Sequence, residues 1–415
     1  MALNFDLAVV GGGAAGLMAA IAAAEESQKN RRRLKIAVLE GNARVGKKLL
    51  ATGNGRCNLT NTGVSREHYH GDALALEPIL DRYAPRKIMD AFHSFGLLCR
   101  ELDEGRVYPY NMQASAVLDI LRLQLERFGV ETVCDFAVTG IQKGGDGFRI
   151  SSAQSNVEAK RVILATGGLA YPQLGANGSG FQIAKSLGHS TTKLFPALVQ
   201  LKTDPKRAKP LKGARSAAAA TLFANGKPIK TVSGEVQFTE NGLSGICIFE
   251  LSRLAGELGA SRKIEISLDL MPEYTARQIF SVIKQRSGMT RELPSGELLN
   301  GCLNKQVGPE VVKSALPRAA KYACELKEDE LRTVAGTVKN FTFPIIGTLS
   351  WKDAQVTAGG VPLNEVDEAM QSRFCPGVYL AGELCNIDGD CGGFNLHWAW
   401  SSGMIAGRAA AQSLL

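Results

Sequence analysis

Asp6-Leu7-Ala8-Val9-Val10-Gly11-Gly12-Gly13-Ala14-Ala15-Gly16-Leu17 decides the fold class of this chain. Asp6 to Val10 reads as a buried β-strand, Gly11 to Gly16 as a turn, Leu17 to about Ser27 as a helix, and Leu34 to Glu40 as a second buried strand. The result is a βαβ unit. In Gly11-x-Gly13-x-x-Gly16 the first glycine permits the tight turn and the second lets backbone approach a pyrophosphate at the helix N-terminus, beside Ala14 and Ala15. The third lets helix and strand pack closely. Glu40 ends the second strand, where a carboxylate accepts hydrogen bonds from the two hydroxyls of an adenosine ribose and disfavours the 2′-phosphate of NADP.

The same stretch is free of charge from Leu7 to Ala24, close to the shortest length that spans a bilayer. The glycine triplet breaks it, and no basic segment precedes it, so we expect neither a membrane span nor a signal peptide. Nine cysteines in 415 residues are an odd number with no CxxC pair, which argues against a disulfide framework and a structural metal and for a reducing cytoplasm. Glycine, at 45 residues, exceeds the usual roughly 7% and clusters in short runs that suit loops cradling a ligand. The balance of 48 basic against 40 acidic residues is +8. Much of it gathers at Lys202, Lys206, Arg207, Lys209, Lys212 and Arg215, which suits either a solvated loop or a nucleic-acid contact. With no Gly-x-Ser-x-Gly elbow and no Walker lysine motif, hydrolase and P-loop readings fail.

Further along, Ala114 to Phe128 reads as an amphipathic helix, Thr132 to Gln142 and Phe148 to Ser152 as strands, and Arg161 to Ala165 as a strand ending in Gly167-Gly168. From 192 to 270, Asn-Gly turns separate short strands, and from 271 to 341 helical patterns dominate. The expected architecture is an α/β Rossmann-like domain built from 1–191 and 342–415, interrupted by an inserted β-rich domain at 192–270 and a small helical domain at 271–341.

Two remote glycine motifs bear on which dinucleotide binds. Ala165-Thr166-Gly167-Gly168 and Ala381-Gly382-Glu383, the latter followed by Asp388 and Gly392-Gly393-Phe394-Asn395, place both ends of the chain on a long cofactor. No second GxGxxG exists, so FAD is expected as the tightly held group and NAD(P)H as a transient donor. The segment from Gly46 to Asn61, with Lys47, Lys48, Gly53, Asn54, Gly55 and Arg56, offers donors and positive charge for a pyrophosphate.

That segment, the turn Gly167 to Pro172, Thr357-Ala358-Gly359-Gly360-Val361, and the ending Gly392–Asn395 through Ser401-Ser402-Gly403 together resemble the BaiN/RdsA family of NAD(P)/FAD-dependent flavoproteins over almost the whole chain. The resemblance implies a discontinuous FAD domain with a β-barrel-like insertion and a helical domain. It also implies FAD contacts at Ala15, Glu40, Lys48, Asn395, Leu396 and the backbone of Val138. Similar proteins are linked to dihydrouridine synthesis in ribosomal RNA, to reduction of bile-acid intermediates and to aminoacetone oxidation.

For a uracil substrate, hydride would reach C6 and a protein acid would protonate C5. Cys57 is the candidate acid, because a thiol with an ordinary pKa near 8.5 is protonated at neutral pH. Arg56 beside it works against that role by favouring the thiolate. Cys385 and Cys391 are lesser candidates. His68 and His70 are expected to be loop residues, His397 a satisfied histidine at a helix start, and His189 a cap on the preceding helix. Three functions are compatible with these residues: a flavin-dependent reductase of uridine in ribosomal RNA, favoured by the basic cluster; a reductase or oxidase of a small enone or amine; and a non-catalytic FAD-binding RNA chaperone.

Overall fold

β1 (Leu3–Val10) is an inner strand of a seven-stranded sheet in the computed structural model, which describes residues 3–259 and 262–415. It pairs in parallel with β2 (Ile36–Leu39) on one side and with Asn156–Leu164 on the other. Glu131–Val133 and Val378–Leu380 extend the parallel part, and the hairpin formed by Val138–Gly144 and Gly147–Ser152 adds antiparallel strands. The run expected as one strand from Thr132 is therefore two, separated at Asp135, whose φ of 55° takes the backbone out of the extended region.

α1 (Ala14–Lys29) follows the glycine turn and is buried along nearly its whole length, so its alanines face neighbours on every side. One neighbour is the C-terminal helix Phe394–Gln412. A Cβ on Gly403 would lie 2.5 Å from the carbonyl oxygen of Ala15, and one on Gly407 would lie 2.1 Å from that of Ala19. Spaced four apart on one helix face, these glycines let two backbones touch. The end of the chain thereby completes the domain begun by its first residues.

The chain divides into two compact units, Met1–Phe195 with Gln355–Leu415, and Pro196–Ala354. The second holds a closed barrel in the order Leu201–Thr203, Gly242–Ser244, Lys227–Phe238, Arg215–Ala224, Ile264–Asp269 and Phe341–Thr348. The sequence reading parts 192–270 from 271–341 and resumes the first domain at 342. The structure instead draws the β-rich and helical segments into one unit, for two physical reasons. Phe341–Thr348 bridges Ile264–Asp269 and Leu201–Thr203 and so removes the exposed strand edges. Ile283 and Val334 from the helices also share one apolar core with Leu222, Phe238 and Phe343 from the barrel. Among the described residues no helix is long and apolar enough to cross a membrane.

Candidate functional site

The glycine turn of the first unit separates the roles that its spacing suggests. Gly11 has φ of 103°, and a Cβ there would meet Ala165 O at 2.4 Å, while one on Gly16 would meet Gly11 O at 1.9 Å. Both glycines are demanded by protein packing. Gly13 is not: no protein atom lies within 4 Å of the position its Cβ would take. It precedes α1, which has no side-chain cap and no acid in its first turn, so the N–H groups of that turn are donors open to an anion. Glu40, nearly buried, is aimed by its partners. Its Oε2 accepts from Gly12 N at 2.8 Å, and its Oε1 accepts from the backbone and side-chain nitrogens of Asn42 at 2.8 and 2.6 Å. With two donors on Oε1 and one on Oε2, Oε2 keeps capacity for a further donor such as a ribose hydroxyl. Phe136 N donates to Glu40 O at 2.9 Å, which brings the segment leading to Val138 alongside.

Lys47, which opens α2 (Lys47–Ala51), is exposed and bonds Asn42 Oδ1 at 3.1 Å. Lys48 turns the other way, and its Nζ lies 2.5 Å from Glu383 Oε2. Glu383 Oε1 in turn accepts Thr357 N at 2.7 Å, and Thr357 Oγ1 accepts Leu169 N and Ala170 N at 2.7 and 3.0 Å. A Cβ on Gly168 would lie 2.3 Å from that hydroxyl. Four motifs distant in sequence are thus fastened together through Thr357, to which the sequence reading gave no role of its own.

After α2 the chain coils tightly, with Gly53, Asn54, Gly55 and Cys57 all at positive φ and Cys57 N bonded to Thr52 O at 3.0 Å. Arg56 stays exposed, its Nε on Gly53 O and its guanidinium 5.3 Å from the centroid of the Tyr108 ring. Cys57, the candidate acid of the sequence reading, lies inside the fold. It has no exposed surface and belongs to the apolar core, and burial pushes its thiol up to about 12. Cys385 is sealed in the same way and likewise pushed up to about 12.

Gly167, like Gly13, faces no protein atom and adopts φ of 72°, whereas Ala165 packs on Gly11 and Thr166 on Gly180. Gly382 N donates to Ser402 Oγ at 2.9 Å, and its carbonyl accepts from Trp398 Nε1 at 3.0 Å. Gly393 lets the chain pass the Thr60 carbonyl, 2.5 Å from where its Cβ would be, and opens the C-terminal helix without a side-chain cap. The side chain of Asn395 is spent on the loop itself, bonding Gly389 N, Gly389 O and Asp390 O. What it and the half-buried Leu396 can offer a ligand is backbone N–H. Asp388 is buried on the short strand Ile387–Gly389, opposite His70. Two uncapped helix starts, two glycines facing open space and the partnerless buried Asn58 Oδ1 fit the binding of an anionic dinucleotide.

The histidines divide. His397 is buried, with Nδ1 on Thr60 Oγ1 at 2.8 Å and Nε2 without a hydrogen-bond partner among the described residues, so it is not the satisfied histidine expected, and desolvation holds its pKa down to about 4. The ring of His189 does not cap a helix. It bridges Glu365 Oε2 at 2.9 Å and Ser372 Oγ at 2.8 Å. His68 and His70 share one carboxylate, that of Asp390, a partnership between residues too far apart in sequence to be read from spacing. Among the described residues no group of three or more His, Cys, Asp or Glu is placed to hold a metal ion. In the second unit the basic cluster is partly neutralised: Lys212 pairs with Glu240 at 2.8 Å and Arg215 with Glu235 at 3.1 Å.

Residues 5–409 match the family described as HI0933-like protein Rossmann domain. The chain is 35% identical over 381 residues, 91% of its length and 93% of the relative's, to a 3-dehydro-bile acid delta(4,6)-reductase of Clostridium scindens. It is 25% identical over 393 residues, 92% of each chain, to a ribosomal RNA dihydrouridine synthase of Escherichia coli. In fold it is similar to the 3-ketosteroid delta1-dehydrogenase of Sterolibacterium denitrificans, with a TM-score of 0.50 at 12% identity over 99% of this chain and 100% of that one. The chain belongs to the HI0933-like Rossmann family and is an FAD-dependent oxidoreductase.

Proposed function

We propose that this enzyme reduces a carbon–carbon double bond conjugated to a carbonyl in a small molecule, with NAD(P)H as the transient electron donor. The observation that carries the choice of reaction is the 35% identity, across nine-tenths of the chain, to a protein named as a bile-acid reductase. FAD, when bound, supplies hydride chemistry. The chain's own residues hold it: backbone N–H groups of Gly13, Ala14 and Ala15 at the pyrophosphate, Glu40 at the ribose, and the backbone of Val138 beside it. The turns at Gly167–Gly168 and Gly382–Glu383 and the backbone of Gly393, Asn395 and Leu396 would supply the remaining contacts. In this reading Lys48 acts by anchoring Glu383, and the coil Gly53–Arg56 forms the wall beside α2.

A second reading, uridine in ribosomal RNA as the substrate, is favoured by Lys202, Lys206 and Lys209, which form no ion pair among the described residues, and by the E. coli relative's name. One experiment separates the two. Purified enzyme is mixed anaerobically with NADH or NADPH and then with a 3-oxo-4,6-diene bile acid or with ribosomal RNA lacking the modification. The proposal expects the diene to reoxidise the flavin and gain two hydrogens by mass. Dihydrouridine formation with an inert diene would transfer the assignment to RNA, and substitution of the three lysines by glutamate would then weaken RNA binding while leaving FAD content unchanged.

A further inference from the structure

Reduction of a conjugated double bond needs a proton as well as a hydride, and the first unit holds a cluster of titratable side chains suited to supply one. His68 Nδ1 lies 3.4 Å from Asp390 Oδ2, and His70 Nε2 lies 2.9 Å from Asp390 Oδ1. The carboxylate is mostly buried, its side chain 11% exposed, while that of His68 is 41% exposed. The His68 ring stacks on Phe394, the first residue of the C-terminal helix, with centroids 4.2 Å apart and planes 13° from parallel. Backbone ties the partners further, since Asp390 N donates to His68 O at 2.9 Å and Tyr69–Gly71 pairs with Ile387–Gly389. The ring is thus fixed on one nitrogen and one face, with the other nitrogen directed away from the carboxylate.

We infer that His68 is the proton donor of the reduction, with Asp390 as its positioning residue. This inference rests on the function proposed above. The carbon–carbon π bond breaks; the β-carbon gains a hydride, two electrons and one hydrogen, from the reduced flavin. The α-carbon gains the proton that leaves Nε2 of the His68 imidazolium. The neutral ring keeps its Nδ1 hydrogen on Asp390, and solvent restores the Nε2 proton. A carboxylate held on one ring nitrogen orients an imidazole in this manner. The other charged or titratable groups near the ring are His70 on the same carboxylate, Arg66 and Glu67 on the turn that precedes it, and Asp388 across the strand pair from His70.

The test uses FAD-loaded enzyme reduced with dithionite and mixed with the 3-oxo-4,6-diene bile acid or a uridine oligonucleotide. H68Q is expected to bind FAD and accept dithionite electrons like the wild type, yet to be reoxidised by the responsive acceptor about 100-fold more slowly, the lower end of what general acid catalysis supplies. D390N is expected to slow the same step about tenfold, and H93Q, altered at an exposed histidine, to leave it unchanged. Nitrogen-15 correlation spectra of the five histidines at alkaline pH supply a readout free of turnover. Neutral His68 should carry its hydrogen on Nδ1 and His70 on Nε2, and D390N should scramble both. Reoxidation of H68Q within threefold of the wild type, or a neutral His68 carrying its hydrogen on Nε2, overturns the assignment. A wild-type enzyme inert to both acceptors overturns the proposed function and the assignment with it, and is told apart because it fails before any substitution.

Discussion

Lys48 and Glu383, 335 positions apart in the chain, form an ion pair of 2.5 Å that joins the helix after the second strand to the turn after the last strand of the parallel sheet. Both side chains are largely buried, at 24% and 20% exposure, and Glu383 also holds Thr357 N. The pair therefore acts as a clasp on the segments that meet at Thr357. E383Q keeps the shape and removes the charge. We expect it to lower apoprotein stability by about 1–2 kcal/mol, read from urea unfolding, since a partly screened charged hydrogen bond has that order of value.

The seam between α1 and the C-terminal helix makes a sharper prediction. G407A places a methyl group 2.1 Å from the Ala19 carbonyl oxygen, on two helices that have no slack to yield. Overpacking of this kind costs about 1–3 kcal/mol. A lowered melting temperature, with FAD release at a lower temperature than in the wild type, is the expected outcome of a thermal scan followed by flavin fluorescence.

Cys57 and Cys385 set the alkaline behaviour. Their folded pKa values, pushed to about 12 by burial, stand above the unfolded thiol value, so the native state holds protons that the unfolded state releases. The stability this contributes is whole below about pH 8.5 and declines as pH rises toward 12. C57A should flatten that decline in urea midpoints measured from pH 8 to 11. It should also leave the rate of flavin reoxidation by substrate within threefold of the wild type.

His397 sets an acid limit by the opposite route. Its folded pKa is depressed to about 4 by desolvation, against an unfolded value near 6.5. The stability that depends on the neutral ring is present above pH 6.5 and is lost as pH falls toward 4. H397Q should weaken the protein at pH 7 by removing the Thr60 partner, yet show a shallower loss of stability between pH 6.5 and 4.

Local order carries much of this fold in the sequence. The strand, turn and helix around Gly11–Gly16 are set by near-neighbour periodicity and backbone sterics, and the helix from Ala114 to Phe128 was legible to the residue because its apolar stripe is local. The closing strand Phe341–Thr348 was not, because its partners lie on the far side of a helical segment and nothing nearby in the chain signals the pairing. In the site, the glycine motifs were visible as runs, but the packing glycines Gly11 and Gly16 and the open ones Gly13 and Gly167 look alike in sequence. The burial of Cys57 was hidden for a related reason. Its neighbour Arg56 is exposed, and the turn through φ of 58° that sends the thiol inward leaves no mark in the residue type.

Gly13 provides the most direct test of the central claim that the open start of α1 receives the FAD pyrophosphate. Titration of apoprotein with FAD, followed by fluorescence quenching, should show tight binding to the wild type. G13A should bind at least tenfold more weakly at unchanged apoprotein stability, because the added methyl group meets ligand and no protein atom. Equal FAD affinity in wild type and G13A, or no FAD binding by the wild type, would contradict the account.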